Sequence, residues 1–461
     1  MNLFSIEFLL LVMICRLAAV ALSTSLQNYV FLGASLLFCL SHSPLTLAFL
    51  FGTFLIAYFS LRLYRRTKGK WALPLGILLI LATWIASRVL ISGGVTGMDL
   101  TNMDAGFVLG LSFYMLQAIS VLLKSVKHES DQDPTFMEFL LFLAFFPKLT
   151  AGPIEPPGKF IRQLRARPRP AAAETVEGFR LVIQGLFRKF MLGDSLLRTI
   201  PKEFFIQPGG LSQTELAAWL LALLFGIYND FLGYTQIARG ISRILGLKLS
   251  RNFRSPFFSR SISDAWLRWH ITLSQWLREY LFFPISRFLA RRFPNPRHIV
   301  PMLIPPLAVM SISGLWHGFQ RHFLIWGFVM GLLIFLERLA RSIHPPRPVT
   351  KTGRPWHWAK STIRWSALVL SLIPFALPAG TSLEFVQSLL GGNPLPFPDT
   401  PVLLFIPLTL LWDGMQKRWG ETFETLPVPR TAGFLLQGVL ILLIFLQSLT
   451  ATPIPFIYGG F

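Results

Sequence analysis

Apolar runs recur along the whole chain, separated by short basic or Pro/Gly-rich breaks. They cover residues 4–22, 29–39, 44–63, 73–91, 106–126, 136–146, 175–192, 216–232, 266–283, 299–315, 323–339, 363–377, 402–412 and 432–449. A helix needs about 20 residues to cross a bilayer. The pattern therefore predicts an all-α polytopic membrane protein with about ten to twelve transmembrane helices. Shorter runs such as 29–39 and 402–412 read as re-entrant or interfacial helices. One run carries an oddity: SGLWHGFQRHFLIWG, residues 313–327, places His317 and His322 in apolar surroundings. A buried polar group without a partner costs a few kcal/mol, so this stretch is either paired within the protein or wet and used.

The character of the chain changes along its length. Residues 1–146 are nearly pure Leu/Phe/Ile/Ala helices, which suits a scaffold. Residues 147–343 interleave polar, charged and aromatic positions and are where candidate chemistry is to be sought. A basic, Pro-rich linker then leads into the C-terminal helices of 344–461. We read these three stretches as one integral membrane domain spanning 1–461. The run at 4–22 resembles a signal sequence, but apolar runs follow at once, so a retained first helix is expected.

Composition sharpens this picture. Of the 461 residues only 14% are charged, against roughly 25% in soluble domains. The formal charge of +21 comes from 43 basic and 22 acidic residues. Such an excess elsewhere suggests nucleic acid, but here the basic residues cluster in the breaks, at 62–70, 159–169, 287–297 and 338–354. Basic loops between apolar spans mark the cytoplasmic side of a multi-pass inner-membrane protein. They suit anionic membrane lipid or an acidic carrier protein, and no nucleic-acid partner is expected. Cys15 and Cys39 lie in apolar runs without redox or metal spacing and read as small buried hydrophobes. No metal site is expected.

Four stretches between 147 and 331 carry the candidate chemistry. PKLTAGPIEPPGKF (147–160) cannot stay helical through its Gly-Pro and Pro-Pro steps. It is either an ordinary interfacial loop or an irregular segment covered by protein at membrane depth. GIYNDFLGYTQIARG (226–240) holds Asp230 in an apolar context, where a carboxylate ties helices to an arginine, orients an imidazole or marks a proton path. NFRSPFFSRSISDAWLRWHITLSQWLREYLFFPI (252–285) reads as a cap at Ser263–Asp264 followed by one amphipathic helix. His270 within it has a structural reading as well as a functional one. His317 in GLWHG is the fourth, since a neutral imidazole accepts a proton from a hydroxyl at physiological pH. No phosphate loop, nucleophile elbow or Cys/His cluster accompanies it. Two function classes remain on these grounds: direct transfer to a hydroxyl, or a proton-coupled transporter with His317 and Asp230 as its relay.

Together these stretches resemble the membrane-bound O-acyltransferase family, in its bacterial polysaccharide-modifying branch of alginate O-acetylation and teichoic acid D-alanylation proteins. LGLSFYMLQAIS (109–120), FFPKLTAGPIEPPGKF (145–160) and YNDFLGYTQIARGISRILGLKLSRNFRSP (228–256) fit in order with RWHITLS and GLWHG, across 109–331. The resemblance implies a ring of helices around a thin core, where funnels from each side meet at a histidine. It places the family's active-site histidine on His317 and its second histidine on His270. It places Asp230 and Tyr234 in a D-F-x-G-Y element lining that core, with Leu232, Thr235 and Gln236 departing from the branch's more usual Ser, Ser and Asp. Asn252, Trp269, Ser274 and Trp316, from the same motifs, complete the candidate substrate-binding set. The implied reaction moves an acyl group, acetyl foremost, from acyl-CoA or an acyl carrier protein to a hydroxyl of an exported polysaccharide or a periplasmic acyltransferase partner. That thioester is a substrate, and no bound cofactor is implied. D-alanyl transfer to teichoic acid is the alternative within the family.

Overall fold

The computed structural model describes residues 5–91, 108–126, 133–166, 169–295, 298–343, 354–392, 398, 400–423 and 430–450. Parts of three basic clusters (167–168, 296–297 and 344–353), and the starts of the runs at 4–22 and 106–126, lie outside the described residues. The described residues are mainly helical, without a strand. Helices α1 (Ile6–Ala21), α2 (Thr24–His42), α3 (Pro44–Thr67) and α4 (Ala72–Ile91) precede α5 (Leu111–Ser125), α6 (Phe136–Ala144), α7 (Phe146–Leu149) and α8 (Pro157–Arg165). Helix α9 (Ala172–Phe187) runs through a π-helical turn, Arg188–Asp194, into α10 (Ser195–Thr199) and α11 (Glu203–Ile206). The long α12 (Gln213–Ile244) follows, then α13 (Ile262–Trp266), α14 (Ile271–Leu277), a second π-helical turn and α15 (Phe283–Arg292). Next come α16 (Ile299–His317), α17 (Arg321–Ile343), α18 (Arg354–Ser371), α19 (Ile373–Ala376), α20 (Ala379–Gly391), α21 (Phe405–Trp419) and α22 (Arg430–Thr450).

The distribution of polarity is that of a membrane protein. On α1, Leu9, Met13 and Leu17 point outward, and on α22 so do Phe434, Leu435 and Leu442. Residues 225 to 238 of α12 are all buried, including Asn229, Asp230 and Gln236. A soluble chain arranges these classes the other way round. Apolar outer faces suit lipid, and charged groups at depth are expected to face the interior of the bundle. Among the described residues five helices are long and apolar enough to cross a membrane: Pro44–Thr67, Gln213–Ile244, Ile299–His317, Arg321–Ile343 and Thr431–Leu449. Several other apolar runs fold as shorter helices, such as Leu111–Ser125, or are broken by π-helical turns and prolines.

Two close helix contacts build the core. A Cβ added at Gly185 on α9 would lie 2.6 Å from the Gly233 carbonyl oxygen on α12, and the converse distance is also 2.6 Å. One step further along, Gly178 and Gly240 repeat the contact at 2.8 and 2.5 Å. Both pairs are spaced by seven, which returns each glycine to the same helix face, so the backbones touch as in other small-residue membrane interfaces. Gly185→Val is therefore expected to destabilise the protein by about 1–3 kcal/mol through overpacking. A lowered melting temperature in detergent checks this, and an unchanged one contradicts it. In the antiparallel hairpin of α16 and α17, a Cβ at Gly314 would stand 2.2 Å from the Phe323 carbonyl oxygen, and one at Gly327 2.3 Å from that of Met310. This hairpin brings the last residue of α16, His317, against the first turns of α17.

The stretch 252–285 departs from the single amphipathic helix read from its periodicity. Ser261, not Ser263, caps α13 by accepting from the Asp264 amide at 2.8 Å. The chain then turns, and His270 takes up a left-handed conformation with φ 43° and ψ 55° before α14 begins. The break has a long-range cause: the Ile271 amide donates to the Asn252 carbonyl at 2.7 Å, so an earlier loop captures the donor that would have continued a helix.

Candidate active site

His317 is buried in a cage of rings. Its centroid lies 4.9 Å from Trp316, 5.3 Å from Trp326 and 5.1 Å from Phe375, each near edge-on, with Phe323 roughly parallel at 6.2 Å. Trp316 also stands 6.1 Å from His270, so one indole separates the two imidazoles. Its Nε1 donates to the Ser112 carbonyl at 3.4 Å. The hydroxyl of the same serine accepts from Trp84 and Arg88, at 3.1 and 3.0 Å, which brings α4 and α5 to this core. Arg88 and His270 are both close enough to act electrostatically on His317.

His270 is held by what surrounds it. Phe113 is stacked on its ring at 6.0 Å, and Phe231 meets it edge-on at 4.8 Å. The residues after it are pinned by Asn252, whose Oδ1 accepts from the Thr272 hydroxyl at 2.6 Å. Thr272 in turn accepts from the Ile154 amide at 2.9 Å, tying α14 to the irregular 150s segment. Only 2% of His270 is exposed, yet no described residue hydrogen-bonds either of its ring nitrogens. The Asn252 amide nitrogen is buried without a described partner as well. Unmet polar groups at such depth are costly.

The other sequence-predicted residues fall around these two. Trp269 packs against Phe253 and Tyr228, at 5.2 and 5.6 Å. Ser274 donates to the carbonyls of Trp266 and Trp269, at 3.0 and 3.1 Å, and so closes the turn that presents His270. Tyr234 is buried with its hydroxyl toward Thr150 and Ala151. Asp230 forms an ion pair with Lys189 at 2.5 Å, so its helix tie is to a lysine rather than an arginine. An apolar cavity of about 90 Å³ lies beside the cage, lined by Trp266, Trp269, Trp326, Trp365 and Phe375 among others. It shares two walls with His317 and one with the turn before His270.

His322 stands apart. Its Nδ1 lies 3.2 Å from the Pro374 carbonyl, clipping α17 to the short helix that carries Phe375. Its effect on chemistry is thus through Phe375. His322→Ala is expected to reduce turnover only a few-fold, roughly 1 kcal/mol of barrier or less. Loss as deep as that of His317→Ala, in parallel assays, would contradict this division.

Residues 147–155 of the segment 147–160 are buried, while Gly158 and Lys159 near its end are exposed. Lys148 is fully buried, donating to Gln117 and to the Phe142 carbonyl, with Phe142 and Phe160 rings 4.5 and 5.2 Å from its nitrogen. Glu155 accepts from the amide and hydroxyl of Ser250, which fastens the segment to the loop before Asn252. Sequence reasoning also passed over Arg88, Arg188, Lys189 and Asp413. The signal was available for the middle two: consecutive cations inside the apolar run 175–192.

A family model described as the membrane-bound O-acyltransferase family matches residues 6–373. The chain belongs to the membrane-bound O-acyltransferase family. It is similar to a protein named probable alginate O-acetylase from Azotobacter vinelandii, 32% identical over 252 residues, which covers 54% of this chain and 47% of that one. A peptidoglycan O-acetyltransferase from Helicobacter pylori is 29% identical over 258 residues, 50% of this chain and 47% of its own. A teichoic acid D-alanyltransferase from Bacillus subtilis is 24% identical over 273 residues, with 58% and 65% covered. The chain spans about half the length of the first two relatives. His317, His270 and the ring of motif residues around them all lie within the family match.

Proposed function

We propose that this O-acyltransferase family member moves an acetyl group from a cytoplasmic thioester to a hydroxyl of an exported polysaccharide, directly or through a periplasmic acyltransferase partner. The observation that carries the reading is the pairing of His317 and His270 across Trp316 in one buried core, with polar atoms of His270 and Asn252 left open there. The acceptor hydroxyl loses its proton to His317 as its oxygen attacks the thioester carbonyl carbon. A C–O bond forms, the C–S bond breaks, and the proton passes from the imidazolium to the departing thiolate. General-base assistance of this kind contributes about 10²–10⁴-fold. Confining both reactants beside the histidine adds an entropic contribution of comparable or greater size. His270 and Asn252 offer hydrogen bonds to the donor or the acceptor, and the apolar cavity beside His317 suits the acyl end of the thioester. Basic loops facing the cytoplasm suit the phosphates of coenzyme A or an acidic carrier protein, with the protein in the inner membrane.

The test is deletion of the gene in its own host, followed by complementation. Base-labile esters on the surface glycans are measured, and the released acid is identified by chromatography. Acetate that disappears on deletion, and returns with the wild type but not with His317→Ala, is the expected result. Alanine in its place assigns D-alanyl transfer instead. Unchanged ester content on deletion overturns the acyl-transfer reading.

A further inference from the structure

We propose that Asp413, on a helix beyond the family match, is a positioning residue for the histidine core; the inference rests on the acyl-transfer reading above. Asp413 is fully buried, and three elements meet on it. One carboxylate oxygen accepts from Arg188 at 2.6 Å, the other from the Tyr228 hydroxyl at 2.6 Å. Its carbonyl accepts from the Ser255 hydroxyl at 3.3 Å. Arg188 also donates to Asn229 and to Gln416, at 3.0 and 2.9 Å, and Asn229 donates to Thr409 at 2.8 Å. Thr409, Asp413 and Gln416 follow one another by four and three, so a single stripe of α21 faces the core. The π-helical turn beginning at Arg188 lets two consecutive cations serve different helices, Arg188 reaching α21 and Lys189 reaching α12.

From Asp413 the contacts lead directly to His270. The Tyr228 ring lies against Trp269 and edge-on to Phe253, at 5.6 and 5.5 Å. Phe253 meets Phe231 at 5.2 Å, and Phe231 meets His270 at 4.8 Å. Phe253 also follows Asn252, which fixes the chain just after His270. Tyr228 and Ser255 therefore deliver the position of α21 to both sides of a histidine whose left-handed backbone conformation persists only because its surroundings hold it. A helix that merely filled space would not fasten these two residues through both its carboxylate and its carbonyl.

The experiment uses membrane vesicles of the host, with radiolabelled acetyl-CoA as the probe donor and the vesicle glycan as acceptor. Rates are expressed per folded protein, counted by detergent-resistant monodisperse material. Tyr228→Phe removes one hydroxyl and leaves the Arg188–Asp413 pair in place. It is expected to lower kcat about tenfold with KM for acetyl-CoA changed less than twofold. Ser255→Ala, which touches only the carbonyl contact, is expected to lower kcat about threefold with the same KM. The His317→Ala vesicles separate the two readings. Label transferred without His317 defeats the acyl-transfer reading itself. A silent His317→Ala beside wild-type kcat in both Tyr228→Phe and Ser255→Ala overturns the positioning role alone.

Discussion

Replacing His317 with alanine is expected to abolish acyl transfer, lowering turnover at least a thousandfold while the protein still inserts and folds. The size follows from the chemistry. A loss of about 10³ is about 4 kcal/mol of barrier, within the range that removing a general base produces. The fold should tolerate the change because His317 is the last residue of α16, where an alanine leaves the backbone bond of the cap, Gly318 amide to Gly314 carbonyl, in place. Its packing partners, Trp316, Trp326 and Phe375, also contact one another or their neighbours and do not depend on the imidazole alone. The structural cost is therefore the loss of one ring from an aromatic cage. The measurement is ester content of the surface glycans in a complemented deletion strain, beside the melting temperature and membrane yield of the purified variant. Transfer at more than a tenth of the wild-type rate would remove His317 from the mechanism. A collapsed yield would instead mean that the cage needs the imidazole, and His317→Gln, which keeps volume and hydrogen bonding, then decides between the two.

Much of this site was legible before the fold, for identifiable reasons. A histidine between Trp316 and Gly318 in an apolar run is an energetic anomaly that composition alone exposes, and the motif context separates it from His322. The all-helical membrane class follows from where the charges fall. What stayed hidden depends on residues distant in sequence. The spacing of Trp266, Trp269, Leu273 and Trp276 fits one continuous helix, and nothing local announces that Asn252 will capture the Ile271 amide and break it. Arg188 finds Asp413 at a separation of 225 residues. No periodicity reports such a pair, although Arg188 lies inside an apolar run and marks itself as needing a partner. Arg88 drew no notice in the sequence, and it reaches Ser112, whose carbonyl accepts from Trp316. Asp230 was legible as a buried carboxylate, and its tie to Lys189 required the neighbouring helix.

That tie yields the largest expected effect on stability. Lys189 holds two carboxylates, Asp194 at 2.6 Å and Asp230 at 2.5 Å, and all three side chains are nearly inaccessible to solvent. A Cβ at Gly233 would come within 2.8 Å of the Lys189 amide nitrogen, so the two helices touch and leave no room for water to replace the ammonium. Lys189→Met strands two acids in this setting, and breaking a buried pair costs about 3–5 kcal/mol. Folded domains commonly hold only about 5–15 kcal/mol in reserve. The variant is expected to accumulate poorly in the membrane, with a sharply lowered melting temperature in detergent. Neutralising the acids as well, with Lys189→Met, Asp194→Asn and Asp230→Asn combined, removes the uncompensated charge and should restore most of the yield. Wild-type stability of Lys189→Met alone would refute the ion-pair assignment. The triple variant also decides what Asp230 does. A carboxylate that serves only to tie α12 to the π-helical turn leaves transfer within about tenfold of wild type once the fold is restored, roughly 1.4 kcal/mol of barrier. A stable triple variant that transfers nothing would return Asp230 to the substrate.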